Sequence, residues 1–177
     1  MSIPTKEWFP KAHWLTDYPR SRLGSRSLPS DSVLRVESLE CVRKNELSKD
    51  EISLLFLWST TGGELSGLVT RDFEFSGSGE VQPVKSELQL NRLSDGDVLI
   101  VLLYERDTPP LEPHDPIGAI SLFPNETYAV FPGDFRKPAR PEPVRLGVGR
   151  PFDVLLDAGR DGAYRLTFHI SREKHPD

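Results

Sequence analysis

The chain is short of the residues that do covalent or metal chemistry. It has one cysteine, Cys41, in 177 residues. No disulfide can form within it, which fits a reducing compartment. Cys41 falls at an apolar position of a strand pattern, where a thiol acts as a small buried hydrophobe. The four histidines, His13, His114, His169 and His175, have no short His/Cys partner spacing, which argues against zinc. No serine stands in a nucleophile-elbow motif. Gly77-Ser78-Gly79 follows a strand, with no helix behind it to present backbone amides to a phosphate. The stretch Asp157 to Gly162 echoes a calcium-binding EF-hand loop, but Gly159 and Phe168 stand where oxygen ligands belong, and helices should flank such a loop. No apolar run approaches the roughly 20 residues needed to span a bilayer. The first thirty residues lack an apolar leader and carry Pro4, Pro10, Pro19 and Pro29 instead. These absences read as a cytoplasmic protein. A net charge of −5 gives no overall field to attract nucleic acid.

What is present is strand periodicity. Leu34 and Val36 alternate with Arg35 and Glu37; the phase then slips at Ser38, and Leu39 and Cys41 take over, the signature of a β-bulge. Residues 52–58 are apolar on both faces, as a central strand would be. Phe73 and Phe75 alternate with acidic and hydroxyl residues, and Val84, Leu88 and Leu90 with polar ones. Residues 97–104 form the most apolar strand, and 117–123 another. Tyr164, Leu166, Phe168 and Ile170 alternate with Arg165, Thr167, His169 and Ser171, and Asp161-Gly162 before them is a hairpin signal. About eight strands and no amphipathic helix predict an all-β fold, an antiparallel β-sandwich. With 37% hydrophobic residues, the chain has material for one core. Ten of the sixteen prolines lie between 109 and 151, so 124–150 is expected to be a Pro-rich loop insertion.

Residues 1–31 read as an arm on a domain of residues 32–177. Residues 1–30 carry five basic and two acidic side chains, residues 31–134 eight and nineteen, and residues 135–150 five and one. Basic segments thus flank an acidic body. The arm also holds Trp8, Phe9, Trp14 and Tyr18. So many aromatics do not suit a purely flexible tail. They would pack on the arm's own domain or enter a groove on a partner.

The remaining chemistry is in two acidic loops. One runs from Tyr104-Glu105-Arg106-Asp107 through TPPLEPH to Asp115-Pro116-Ile117-Gly118. The other joins the first two strands and ends at Asp50-Glu51. In a sandwich, loops at one end converge, and acidic loops can supply oxygens to a hard cation. Here the sequence resembles a C2 domain: LRVESLECVRKNELSKDEISLLF is similar to the family's first loop region, VLIVLLYERDTPPLEPHDPIGAISL to its third, with HDPIG the most specific element, and AYRLTFHIS to its closing strand. The resemblance implies a C2-like sandwich and places calcium ligands on Asp50, Glu105, Asp107 and Asp115. The sequence departs from the family at Lys44-Asn45-Glu46, where another aspartate is usual, and at Glu105, usually aspartate.

The first functional reading is a non-catalytic module that binds another protein or peptide, without a cofactor. The alternative implied by the resemblance is calcium-dependent, peripheral binding to phospholipid membranes, with Leu111 at a loop tip. A remote third is a hydrolase using Glu105 and Asp115 as paired carboxylates.

Overall fold

The computed structural model describes residues 32–172, apart from 45–48, 61–64, 70–71, 91–96, 107–114, 124–126, 136, 138, 140, 143 and 146–148. The arm with Trp8, Phe9, Trp14 and Tyr18, and the loop with Asp107, Leu111 and His114, fall outside the described residues. Eleven strands are present among those described: β1 Ser32–Arg43, β2 Asp50–Ser59, β3 Leu65–Val69, β4 Phe73–Phe75, β5 Val81–Gln89, β6 Val98–Glu105, β7 Asp115–Phe123, β8 Thr127–Pro132, β9 Val144–Arg145, β10 Pro151–Asp157 and β11 Ala163–Arg172. They form two sheets, one ordered β10-β11-β1-β5 and the other β3-β2-β6-β7-β8-β9, with β4 also on β2. Every pairing among them is antiparallel. The expected β-sandwich is therefore the fold. Two of the strands, β8 and β9, lie within 124–150, the segment expected to be loop.

The bulge expected in β1 sits at Glu37. Val36 pairs with Phe168 on one side and Ser86 on the other, and Ser38 with Thr167 and Pro83. The extra residue restores phase, so Leu34, Val36, Leu39 and Cys41 all join one buried cluster. Without it, the second pair would turn to the solvent face. On β5 the bulge is answered by Val84 and Lys85, and Lys85 takes φ 54°, a left-handed conformation that costs a side-chain-bearing residue energy.

Between the sheets, Ile52, Leu54 and Phe56 of β2 and Leu99, Val101 and Leu103 of β6 meet Tyr164, Leu166, Phe168 and Ile170 of β11. A ring stack crosses the sandwich: Tyr128 of β8 lies 5.3 Å from Phe152 of β10, and Phe152 lies 5.3 Å from Phe168 of β11. Offset ring contacts of this kind add to the burial that holds the sheets together. The β10–β11 connection is a short 3-10 turn, Gly159–Asp161, closed by Gly162 at φ 97°. A Cβ at Gly162 would lie 3.1 Å from the Arg43 carbonyl oxygen. Only glycine suits that backbone and that approach.

The two sheets differ on their outer faces. The first sheet's is polar and ion-paired: Arg35 meets Glu87 at 2.9 Å, Arg165 meets Glu40, and Thr167 donates to Asp153 at 2.8 Å. The second sheet's outer face is apolar, with Leu55, Leu57, Ile100, Leu102, Ala129 and Phe131 in a second buried cluster. Strands β2 and β6 are thus buried on both sides, as their uninterrupted apolar sequences anticipate.

Candidate functional site

Of the acidic residues singled out by sequence, Asp50, Glu105 and Asp115 lie at one end of the sandwich, and strand phase decides where the first two point. Asp50 opens β2 in the same phase as Ile52, Leu54 and Phe56, so it faces between the sheets and is 0% exposed. Glu105 closes β6 in phase with Leu103 and is also buried. Its register partners are Ile52 on β2 and Asp115 on β7. Asp115 is half-buried at the start of its strand. Asp107 lies outside the described residues.

Close to Asp50 and Glu105 is a tyrosine that strand periodicity assigns to the core. The Tyr164 hydroxyl, from the opposite sheet, donates a hydrogen bond to Asp50 Oδ2 at 2.6 Å. Its ring sits 5.7 Å from Phe75, and its register partner on β1 is Cys41. Burial first, then the Asp50 acceptor, with Cys41 and Glu105 adding to it, push the Tyr164 hydroxyl far above the ordinary phenol range. It stays protonated and remains a donor. Burial, followed by the neighbouring Asp50, likewise raises the Cys41 thiol. That disfavours the thiolate a nucleophile needs and agrees with the inert, buried thiol expected from sequence.

A hard cation takes six to eight oxygens that converge on an accessible point. As placed, the described candidates do not supply such a sphere. Asp50 faces the core and accepts the Tyr164 hydrogen bond, and no group of three His, Cys, Asp or Glu able to hold a metal occurs among the described residues. Lys44 sits beside this end, its backbone N–H donating to Ser78 Oγ at 3.2 Å. The arrangement is mechanical in character. One buried hydrogen bond ties the first strand of the second sheet to the last strand of the first.

Neighbouring polar groups are similarly engaged. On the outer side of the second sheet the Tyr104 hydroxyl is hydrogen-bonded to Ser53, Ser53 donates to Asp72, and Arg106 pairs with Asp72. Arg43 meets Asp157 at 2.5 Å, and the Gly159 N–H donates to the same carboxylate. Those bonds hold the Asp157 carboxyl below the usual carboxylate range. This is turn chemistry, and it accounts for the EF-hand echo. His169 is half-buried, with Nδ1 4.0 Å from Glu37. A cleft of about 380 Å³ opens at the β1 bulge beside Arg35, Glu37, Pro83 and Lys85, where Arg35 is already bonded to Glu87.

The surface features that sequence reasoning missed are apolar. Val81, Leu155 and Val144 are 58%, 46% and 44% exposed, the large exposed hydrophobics among the described residues. They lie on β5, β10 and β9, each a terminal strand of its sheet among the described residues. Residue type alone could not find them. A strand reveals that it is terminal only once the pairing order is known.

No protein-family model and no curated protein matches the chain. Among solved structures it is similar to a C2 domain of a plant extended synaptotagmin 1, at 12% identity and a TM-score of 0.48, over 83% of this chain and 98% of that one. It is also similar to a structure described as a C2 domain, at 16% identity and a TM-score of 0.41, over 79% of this chain and 98% of that one. A third similarity is to human GIVD cytosolic phospholipase A2, at 12% identity and a TM-score of 0.44, over 81% of this chain but 16% of that one. These are similarities of overall structure at low sequence identity.

Proposed function

We propose that this chain is a non-catalytic protein-interaction domain that takes up an extended segment of a partner protein along the outer edge of β10. The observation that carries the reading is the position of the exposed hydrophobics, each on a strand that is terminal among the described residues. An edge strand offers unpaired backbone groups to a partner strand, and pockets or side chains along it set specificity. Of the three strands that carry them, β10 is the best suited. Strand β9 has two residues. Strand β5 contains Pro83, which has no N–H to offer, and is distorted at Lys85. Strand β10 runs seven residues, with Leu155 in its second half and Asp153 and Asp157 two residues to either side on the same face. Asp157 is already paired with Arg43 and Asp153 accepts from Thr167, so the pattern favours a partner strand with an apolar residue beside Leu155.

The test is selection of peptides from a random displayed library against the full chain, followed by amide chemical-shift mapping. Selected peptides should perturb β10 and β11, and Leu155→Arg should weaken them at least about tenfold. Losing the remaining burial of one leucine is worth about 1 kcal/mol, and desolvating the new cation against an apolar partner residue adds to it. Peptides that bind Leu155→Arg unchanged, or that perturb residues away from β10, would overturn the proposal.

A further inference from the structure

We infer that the partner of the β10 edge is a short apolar strand with carboxylates at its end, seated over Val144 of β9 and held by Arg145 and Arg150. The inference rests on the β10 reading and names the chemistry of what binds there. Ladder geometry decides which backbone groups are offered. The Ala158 N–H donates to the Gly162 carbonyl at 2.9 Å. In an antiparallel ladder, the residues of such a pair turn both backbone groups toward each other, and the residues between turn theirs away. Counting back along the register, Leu156, Val154 and Phe152 bond to β11, while Asp157, Leu155, Asp153 and Pro151 turn outward. Pro151 has no N–H to give. Among the described residues, no hydrogen bond takes the outward N–H and C=O of Leu155 or Asp153.

The second sheet shows what the partner lies against. Strand β10 packs over β7 and β8, and β9 extends that sheet one strand beyond β8. Among the described residues, the first sheet has no strand beyond β10 to oppose β9. Val144 is the register partner of Tyr128, so its side chain shares the face that Tyr128 turns to the interior. Tyr128 is buried and stacked on Phe152, yet Val144 is 44% exposed. Phe152 and Val130 are half-buried along the same seam. A strand added to β10 would close this seam, and the residues it turns inward must be apolar to do so. Charge then fixes one end. Arg145 follows Val144, and Arg150 directly precedes β10; both are exposed. No ion pair among the described residues uses either. Tyr128 places them at the same end of β10, because it pairs with Val144 and stacks on Phe152 at 5.3 Å. A partner whose carboxylates fall beside Pro151 matches them. A second copy of β10 does not fit as well: centred on Leu155, it would set Asp153 of each chain opposite Asp157 of the other.

The experiment titrates the full-length chain with two synthetic peptides that share the core Val-Leu-Val-Leu-Val. One carries Glu-Glu at both ends and the other Lys-Lys. The acidic peptide should slow deuterium exchange at the Asp153 and Leu155 amides at least about tenfold, and the basic one should bind at least about tenfold more weakly. Arg145→Glu combined with Arg150→Glu should invert that ranking. Val144→Ser should weaken the acidic peptide by about threefold or more. Each variant is first checked for the parent's circular dichroism. Peptides that protect both amides and are lost with Leu155→Arg, yet ignore tail charge and the variants at Val144 and the two arginines, would overturn this inference and leave the β10 edge standing. If neither peptide protects either amide, the inference also falls, and library-selected peptides that still map to β10 would keep the edge reading intact. Amides already slow in the free chain, as in a dimer through β10, would overturn both.

Discussion

Tyr164→Phe removes one oxygen atom from the interior and leaves the ring, so it isolates the bond that joins the sheets. The ring keeps its contact with Phe75 at 5.7 Å, while Asp50, 0% exposed, loses the donor 2.6 Å from Oδ2. Taking a donor from a buried carboxyl costs more than a hydrogen bond contributes on average, about 2 kcal/mol. In a chain of this size that is a fall in melting temperature of roughly 4–8 °C. The partner tests whether the cost comes from Asp50. Tyr164→Phe combined with Asp50→Leu removes both polar groups and should recover most of the loss, because an apolar pair of similar volume is close to neutral where a half-pair is not. The coupling energy from the double-mutant cycle should therefore be at least about 1 kcal/mol. Urea unfolding followed by circular dichroism supplies all four corners. Tyr164→Phe within about 0.5 kcal/mol of the parent, or strict additivity in the cycle, would refute the reasoning.

Alkaline pH should act on the same hydroxyl and on two others. Burial is the leading cause of the raised values at Tyr164, Tyr104 and Tyr128. A group whose value is higher in the folded state keeps its proton there while the unfolded chain loses it, so its stabilisation is whole below about pH 10 and declines above it, by about 1.4 kcal/mol per pH unit for each tyrosine. Urea midpoints that are equal at about pH 9 and about pH 11 would contradict this. Gly162→Ala should cost roughly 1–3 kcal/mol, since φ is 97° and the new methyl would lie 3.1 Å from both the Arg43 carbonyl oxygen and the Tyr164 ring. Gly79→Ala, at φ 86° but with nothing within 4 Å, should cost only the backbone part, about 1 kcal/mol, and equal losses at both sites would show that the close approach is unimportant. Leu155→Arg should leave the thermal midpoint nearly unchanged, since Leu155 is 46% exposed; a change beyond about 0.5 kcal/mol would mark it as structural.

Strand positions are legible in the sequence wherever periodicity is strong. The slip at Ser38 is a bulge because only an added residue keeps Leu34 and Cys41 on one side, and that logic needs no partner strand. Strand β8 is less legible. Its sequence TYAVFP is apolar in both phases, since Tyr128 and Val130 face the interior and Ala129 and Phe131 the outer layer. Surrounding prolines then make it look like loop. The same two-sided burial is visible in 52–58 and 97–104, where it suggests centrality in the sheet. Centrality explains why such a strand has two neighbours. It does not explain why both of its faces are dry, which requires a layer on each side.

The acidic end shows how phase outranks residue type. The C2 resemblance places calcium ligands on Asp50, Glu105, Asp107 and Asp115. Yet Asp50 lies in phase with Ile52 and Leu54, and Glu105 with Leu103 and Val101. Period-two counting along each strand is enough to assign both acids to the interior. What counting along one strand cannot supply is the group that makes an interior acid tolerable. That group is Tyr164, in phase with Leu166, Phe168 and Ile170 on a strand 114 residues away, and it reaches Asp50 only because the two sheets are stacked. A buried carboxyl without such a donor would be strongly destabilising. Its presence at the start of β2 is therefore as specific a marker of how the sheets face each other as any apolar contact in the core.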